Sequence, residues 1–248
     1  MRLRKWILPA ILIVLVFAVA GFVIWGSNAQ APMPEAVQAL NSDQEVTVEQ
    51  EEWLVFMPEG QAANTGLVFY PGGRVDYRAY APLASEIAAQ GYLVVIVPMP
   101  LNLAVLGGER AGDVIAAYPE IERWAIGGHS LGGAMAARYA HVHPEQIDGL
   151  ILWAAYPPEG NDLSGRDLAV LSLYGTRDGL ASPAEIEASR ALLPPDAQVV
   201  AIAGANHAGF GRYGPQPGDL PADITLEEQQ LRVSAETLAL LGSIIESP

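Results

Sequence analysis

The chain has 248 residues, 51% hydrophobic and 17% charged, with 25 Gly and 19 Pro; that balance excludes collagen-like and disordered chains and suits one domain, at most two, with a substantial core. Thirteen basic residues stand against 28 acidic ones, a net charge of −15, and since phosphate backbones are held by clustered Lys and Arg, nucleic acid is not an expected partner. There is no cysteine, which excludes disulfide scaffolds, cysteine nucleophiles and thiolate metal sites.

Arg2, Arg4 and Lys5 precede an uncharged run of 20 residues from Trp6 to Trp25. At about 1.5 Å per residue a helix of that run reaches about 30 Å, the thickness of a bilayer core. Trp rings at both ends suit the interface, and cations on one side only keep the N-terminus cytoplasmic and export the rest. Residues 1–25 therefore read as a single-pass membrane anchor. The alternative is a cleaved signal peptide, with Ala29-Gln30-Ala31 as the small-residue site, although the run exceeds the usual apolar length of such peptides. Residues 26–44, rich in Ala, Pro, Asn and Gln, read as a linker, and 45–248 as the exported domain. The domain's acidity favours solubility and opposes anionic lipid surfaces.

Within 45–248, strand and helix patterns alternate. Val46, Val48, Trp53 and Val55 mark a leading strand pair. Strands are expected over 66–70, 92–97, 123–128, 149–154, 168–174 and 198–203, each a short apolar run. Helices are expected over 77–90 (stopped by Gly91), 109–118, 131–143 (closed by Pro144), 183–193 and 225–245. Ser182 is an N-cap with Pro183 behind it, and Thr225 to Glu228 is a capping box. Continuous apolar strands alternating with helices predict an α/β fold: a mostly parallel, doubly wound sheet covered on both faces.

Gly128-His129-Ser130-Leu131-Gly132 is a G-x-S-x-G motif lying where a strand pattern ends and a helix pattern begins. That is the context of a nucleophile elbow, in which a tight turn lifts the serine hydroxyl above the sheet, beside a helix N-terminus. Read blandly, the same residues are a glycine-rich turn with Ser130 capping the helix. A serine hydroxyl needs a base, and the base an acid behind it, in the chain order Ser, acid, His. His141 and His143 fall at the end of the following helix and read as surface or helix-end groups. His207, in a loop past the carboxyl end of a strand, is the expected base. Asp178, in Gly175-Thr176-Arg177-Asp178-Gly179, follows the 168–174 strand and is the expected acid, ahead of Asp162, Asp167 and Glu185. The oxyanion donors are expected to be the N–H groups of Leu131 and of Gly73 in Pro71-Gly72-Gly73, with Arg74 next in line.

These segments resemble the α/β-hydrolase superfamily from about Glu45 onward, closest to the α/β-hydrolase family 5 group, with dienelactone-hydrolase-like relatives further off. The motifs are Phe69-Tyr70-Pro71-Gly72-Gly73, Gly128-His129-Ser130-Leu131-Gly132-Gly133, Tyr174-Gly175-Thr176-Arg177-Asp178 and Asn206-His207. The resemblance implies the α/β-hydrolase fold and a Ser130–Asp178–His207 triad. It implies a carboxylic-ester-hydrolase-like activity but no particular substrate. The residues themselves are read as an exported, membrane-anchored serine hydrolase that cleaves a small or medium ester-like substrate through an acyl-enzyme and requires no metal or organic cofactor. That reading leaves open a peptidase, thioesterase or acyltransferase with the same triad, or an inactive binding module. The stretch between Ala154 and Leu168 is too short for the helical lid of many lipases. Arg74, Met99 and Tyr156 are the candidate substrate-binding residues; Arg78 and Arg177 are further cations near the site, for an anionic group or for ion pairs with surface acids.

Overall fold

A computed structural model describes residues 4–246. Arg2 and the side chains of Arg4, Lys5 and Trp6, which flank the expected anchor, lie outside the described residues. Helix α1 spans Arg4–Ser27. Its segment Leu8–Ser27 is the one helix among the described residues long and apolar enough to cross a membrane, and of its residues only Gly26, at the outer end, is buried against the domain.

Eight strands form one sheet: β1 (Val46–Gln50), β2 (Leu54–Pro58), β3 (Thr65–Tyr70), β4 (Leu93–Ile96), β5 (Arg123–His129), β6 (Gly149–Trp153), β7 (Ala169–Gly175) and β8 (Gln198–Ile202). Their order is β1-β2-β4-β3-β5-β6-β7-β8. β1–β2 and β2–β4 pair antiparallel, and all later pairs are parallel. The remaining helices are α2 (Pro34–Gln38), α3 (Ala81–Ala88), α4 (Ala111–Ala117), α5 (Leu131–Val142), α6 (Pro183–Ser189) and α7 (Leu226–Glu246).

Side chains of a strand alternate between faces, so a strand covered on both sides is apolar throughout. β3 does this: Leu67 and Phe69 enter the core under α3 and α7, while Val68 and Tyr70 enter the core under α4 and α5. Both expected caps form. Ser182 and Glu185 exchange bonds at the start of α6, and Thr225 and Glu228 do so before α7.

Two expectations change in detail. The helix expected over 77–90 opens as a 3₁₀ turn, Tyr77–Tyr80, capped by the Asp76 carboxylate, before α3 proper. Residues 26–44 are packed rather than loose. Gln30 bridges Val75 in parallel, Met33 N–H donates to Arg212 O at 2.7 Å, and α2 buries Ala36. Pro34 starts that short helix at a favoured position, and composition alone did not reveal the surface that receives it.

Candidate active site

The strand-to-helix turn at Ser130 is built by glycines. A Cβ on Gly128 would lie 2.5 Å from the Gly132 carbonyl carbon, and one on Gly132 2.2 Å from Tyr70 O. β5, α5 and the exit of β3 thus meet backbone to backbone. Ser130 itself sits at φ 52, ψ −120, a region that costs a non-glycine residue about 1–3 kcal/mol. Its N–H donates to Trp153 O at 2.9 Å, tying the turn to β6.

His207 follows β8 and Asp178 follows β7. Parallel neighbours β7 and β8 end side by side, which brings the two residues together. His207 Nδ1 donates to Asp178 Oδ2 at 2.9 Å, with the two side chains 1% and 0% exposed. The other carboxylate oxygen, Oδ1, accepts from Leu180 N at 2.8 Å and Ala181 N at 2.7 Å. Held this way, His207 carries its proton on Nδ1 and a lone pair on Nε2. That Nε2 is buried and has no hydrogen-bond partner, Ser130 Oγ included. The His207 ring centroid is 4.5 Å from that of His129, the residue before Ser130.

The expected oxyanion pair is adjacent: a Cβ on Gly73 would meet Leu131 Cδ2 at 3.0 Å. Among the described residues neither N–H of this pair has an acceptor. Arg74 is unavailable as a backbone donor, because its N–H donates to Asn102 O at 2.8 Å. Gly73 and Leu131 line a cleft of about 550 Å³ with Arg74, Leu103, Gln216, Pro217 and residues 25 and 28–30.

The candidate substrate residues do not converge. The Arg74 guanidinium is occupied by backbone carbonyls of Trp25 and Asn28. Met99 is buried in the core with Val97 and Ala104. Tyr156 packs against the opposite core and reaches Glu185 at 3.5 Å. Arg78 pairs with Asp76 and Arg177 with Asp223, so the ion-pair reading of these two cations prevails. His143 bonds Glu109, and His141 bonds the Asp162 carbonyl. From Ala154 to Leu168 the chain makes turns and no helix.

Two residues escaped sequence reasoning. Asp219 collects four backbone N–H groups. Its Oδ1 accepts from His207, Gly179 and Leu220 at 3.2, 3.1 and 2.9 Å, and its Oδ2 from Ala208 at 2.9 Å. It thereby joins the loop after Asp178 to the loop after β8. The other is His129, fully buried at the end of β5. Gly72 N–H donates to Tyr80 OH at 3.0 Å, and Tyr80 OH lies 2.8 Å from His129 Nδ1. Burial pushes the Tyr80 hydroxyl well above its ordinary pKa, so it stays protonated and donates to Nδ1. His129 then carries its proton on Nε2, an atom without a hydrogen-bond partner. The pair links the Pro71–Gly73 loop to the elbow. Strand parity is the signal that could have found it, since His129 shares a face with Ala125, a residue of the α3–α7 core.

Burial lowers the His129 pKa well below 6.5, and the His207 ring adds to this, against a smaller opposing pull from the His207 backbone. A base depressed in the folded state is refused its proton there, while the unfolded chain accepts it. Above about pH 6.5 neither state binds it; below, His129 makes unfolding easier by about 1.4 kcal/mol per pH unit until the folded pKa is reached. Urea unfolding of wild type and His129→Gln between pH 7 and 5 should differ in slope by one proton; parallel pH dependences would reject a neutral buried His129.

Residues 66–231 match the alpha/beta hydrolase family, and the chain belongs to it. Among solved structures, a predicted CIB-like hydrolase from Thermoplasma acidophilum superposes with a TM-score of 0.60 at 14% identity, covering 78% of this chain and 99% of that one. A protein from Thermus thermophilus gives 0.59 at 17% identity, covering 82% and 99%. An α/β hydrolase enzyme from the metagenome of Mar Chica lagoon sediments, Morocco, gives 0.53 at 16% identity, covering 66% and 91%. At these identities the likeness concerns the fold. No curated protein matches the sequence.

Proposed function

We propose that this hydrolase is a membrane-anchored serine esterase acting outside the cytoplasm on a small or medium carboxylic ester. The observation that carries the reading is the buried His207–Asp178 pair, with an unpartnered Nε2, whose imidazole ring centroid stands 4.5 Å from that of His129, the residue before a serine held at positive φ. The reading requires the Ser130 hydroxyl to reach that nitrogen when substrate binds; catalytic hydrogen bonds are often long or absent in unliganded sites. Ser130 Oγ attacks the ester carbonyl as its proton passes to His207 Nε2. Asp178 stabilises the resulting imidazolium, and the Gly73 and Leu131 N–H groups hold the oxyanion. The leaving alkoxide takes the proton from His207. Water, deprotonated by the same nitrogen, then attacks the acyl-enzyme and restores Ser130.

The unlidded cleft supports a substrate of modest size. Gln30, the middle of the small-residue window, is bridged to Val75 and so belongs to the folded domain.

The test uses the full chain in detergent, with a fluorophosphonate probe and a panel of p-nitrophenyl esters. Labelling confined to the peptide bearing Ser130, with release of nitrophenol, is the expected result. A folded protein that neither labels nor hydrolyses any ester overturns the reading. Faster turnover of thioesters or peptides would move the activity to those bonds.

A further inference from the structure

The outer end of α1 is part of the wall of the cleft. Trp25, Asn28 and Gln30 line it together with Gly73, Arg74 and Leu131. The Arg74 guanidinium donates to Trp25 O at 3.0 Å and Asn28 O at 2.9 Å, and its carbon stands 4.7 Å from the Trp25 ring centroid. Carbonyls at a helix C-terminus lack intrahelical donors and favour a cation, so Arg74 serves as a clasp for the helix.

A second contact lies alongside. Asn102 Nδ2 donates to Gly26 O at 3.1 Å. Gly26 is buried, and a Cβ there would come within 2.9 Å of Leu101 Cβ. Leu101 and Asn102 both take positive φ, 52 and 54, which turns their loop toward the helix. The helix end is thus fastened to two loops, and Gln30 to Val75, leaving no slack between the bilayer-length segment and the cleft. At about 1.5 Å per residue, Asn28 lies about 5 Å along the chain axis from Trp25. With Trp25 at the interface, where such rings settle, the cleft opens at head-group level. The loop that meets Gly26 continues into Val105 and Leu106, which are 53% and 47% exposed.

We infer that the site takes its ester from the bilayer surface: the substrate is an amphiphile whose acyl chain stays in the leaflet while its ester carbonyl enters beside Gly73 and Leu131. This rests on the anchored-esterase reading above. The excess of acidic residues, 28 against 13 basic, selects a neutral or zwitterionic amphiphile over an anionic one.

The full chain is reconstituted in phosphatidylcholine vesicles and given p-nitrophenyl laurate dissolved in the bilayer and p-nitrophenyl acetate in the water. Gly26→Val, which pries the helix end from Leu101, is expected to lower the laurate-to-acetate ratio of kcat/KM by about tenfold or more, since displacements near 1 Å can cost that much. The Val105→Asp/Leu106→Asp double variant, which keeps the clasp, is expected to lower it about three- to tenfold by weakening the apolar contact with the leaflet. Unchanged ratios in both variants, or an equal fall of both substrates in both, overturn the inference and leave the esterase reading standing. A wild type that hydrolyses neither ester overturns the esterase reading itself.

Discussion

Ser130→Ala is expected to lower ester turnover by about 10⁴–10⁶-fold, the range seen when a triad nucleophile is deleted and only oxyanion and binding contributions remain. The fold should survive, because alanine occupies the same φ 52, ψ −120 geometry with a smaller side chain and the Ser130 hydroxyl has no partner to lose. Ser130→Gly separates geometry from chemistry. Glycine adopts positive φ without the Cβ penalty, so it relieves the strain of about 1–3 kcal/mol, offset in part by about 0.4–1 kcal/mol from the greater entropy of its unfolded chain. Ser130→Gly should therefore be as inactive as Ser130→Ala yet melt about 2–4 °C higher than it. Scanning calorimetry of the two variants reads the difference. If the glycine variant melts lower than the alanine one, the turn is not strained and its backbone is not poised for catalysis. If Ser130→Ala keeps more than a tenth of wild-type turnover, another group is the nucleophile.

The strands were legible because burial on both faces leaves no ambiguity of period. Val94, Val95 and Ile96 of β4, or Leu150, Ile151 and Leu152 of β6, are apolar whichever way they point. The elbow was legible because close approach admits little but glycine, and glycine stands out in a sequence. Asp178 and His207 were reached through the chain order that the fold imposes on loops after parallel strands. What escaped depends on tertiary pairing across long separations. Tyr80 and His129 are 49 residues apart, and nothing periodic marks one as the other's partner. Arg74 looked like a substrate cation because positive charge is scarce in this chain. Its acceptors are backbone carbonyls of Trp25 and Asn28, and any residue supplies a carbonyl, so sequence carries no trace of that pairing. The same holds for Asp219, whose four partners are all backbone N–H groups.

Asp178→Asn should lower kcat by about 10³–10⁴-fold with little loss of stability, although the two side chains have nearly the same shape. The reason lies in what surrounds the carboxylate. Leu180 and Ala181 both donate N–H bonds to Oδ1, and an amide placed there must turn its oxygen toward them, since its NH₂ group cannot accept. The NH₂ then faces His207 Nδ1 in place of Oδ2. Nδ1 must become an acceptor, and the single proton of the neutral ring moves to Nε2. His207 is left without a lone pair on the side that has to take the Ser130 proton. A variant in the wrong tautomer still binds substrate, so KM should change less than about threefold while kcat collapses, the signature of an interaction needed only in the transition state. Fluorophosphonate labelling of Ser130 should slow in parallel with kcat, because both need the same proton transfer. Asp178→Ala is the contrasting case. It orphans two buried N–H groups and so destabilises the fold by about 1–3 kcal/mol per group, while leaving His207 free to adopt either tautomer. Asp178→Asn should therefore be the more stable of the two, and Asp178→Ala should keep equal or greater activity. Near-wild-type kcat in Asp178→Asn would mean that the 2.9 Å contact between His207 and Asp178 only packs the loop and does not set the proton's position.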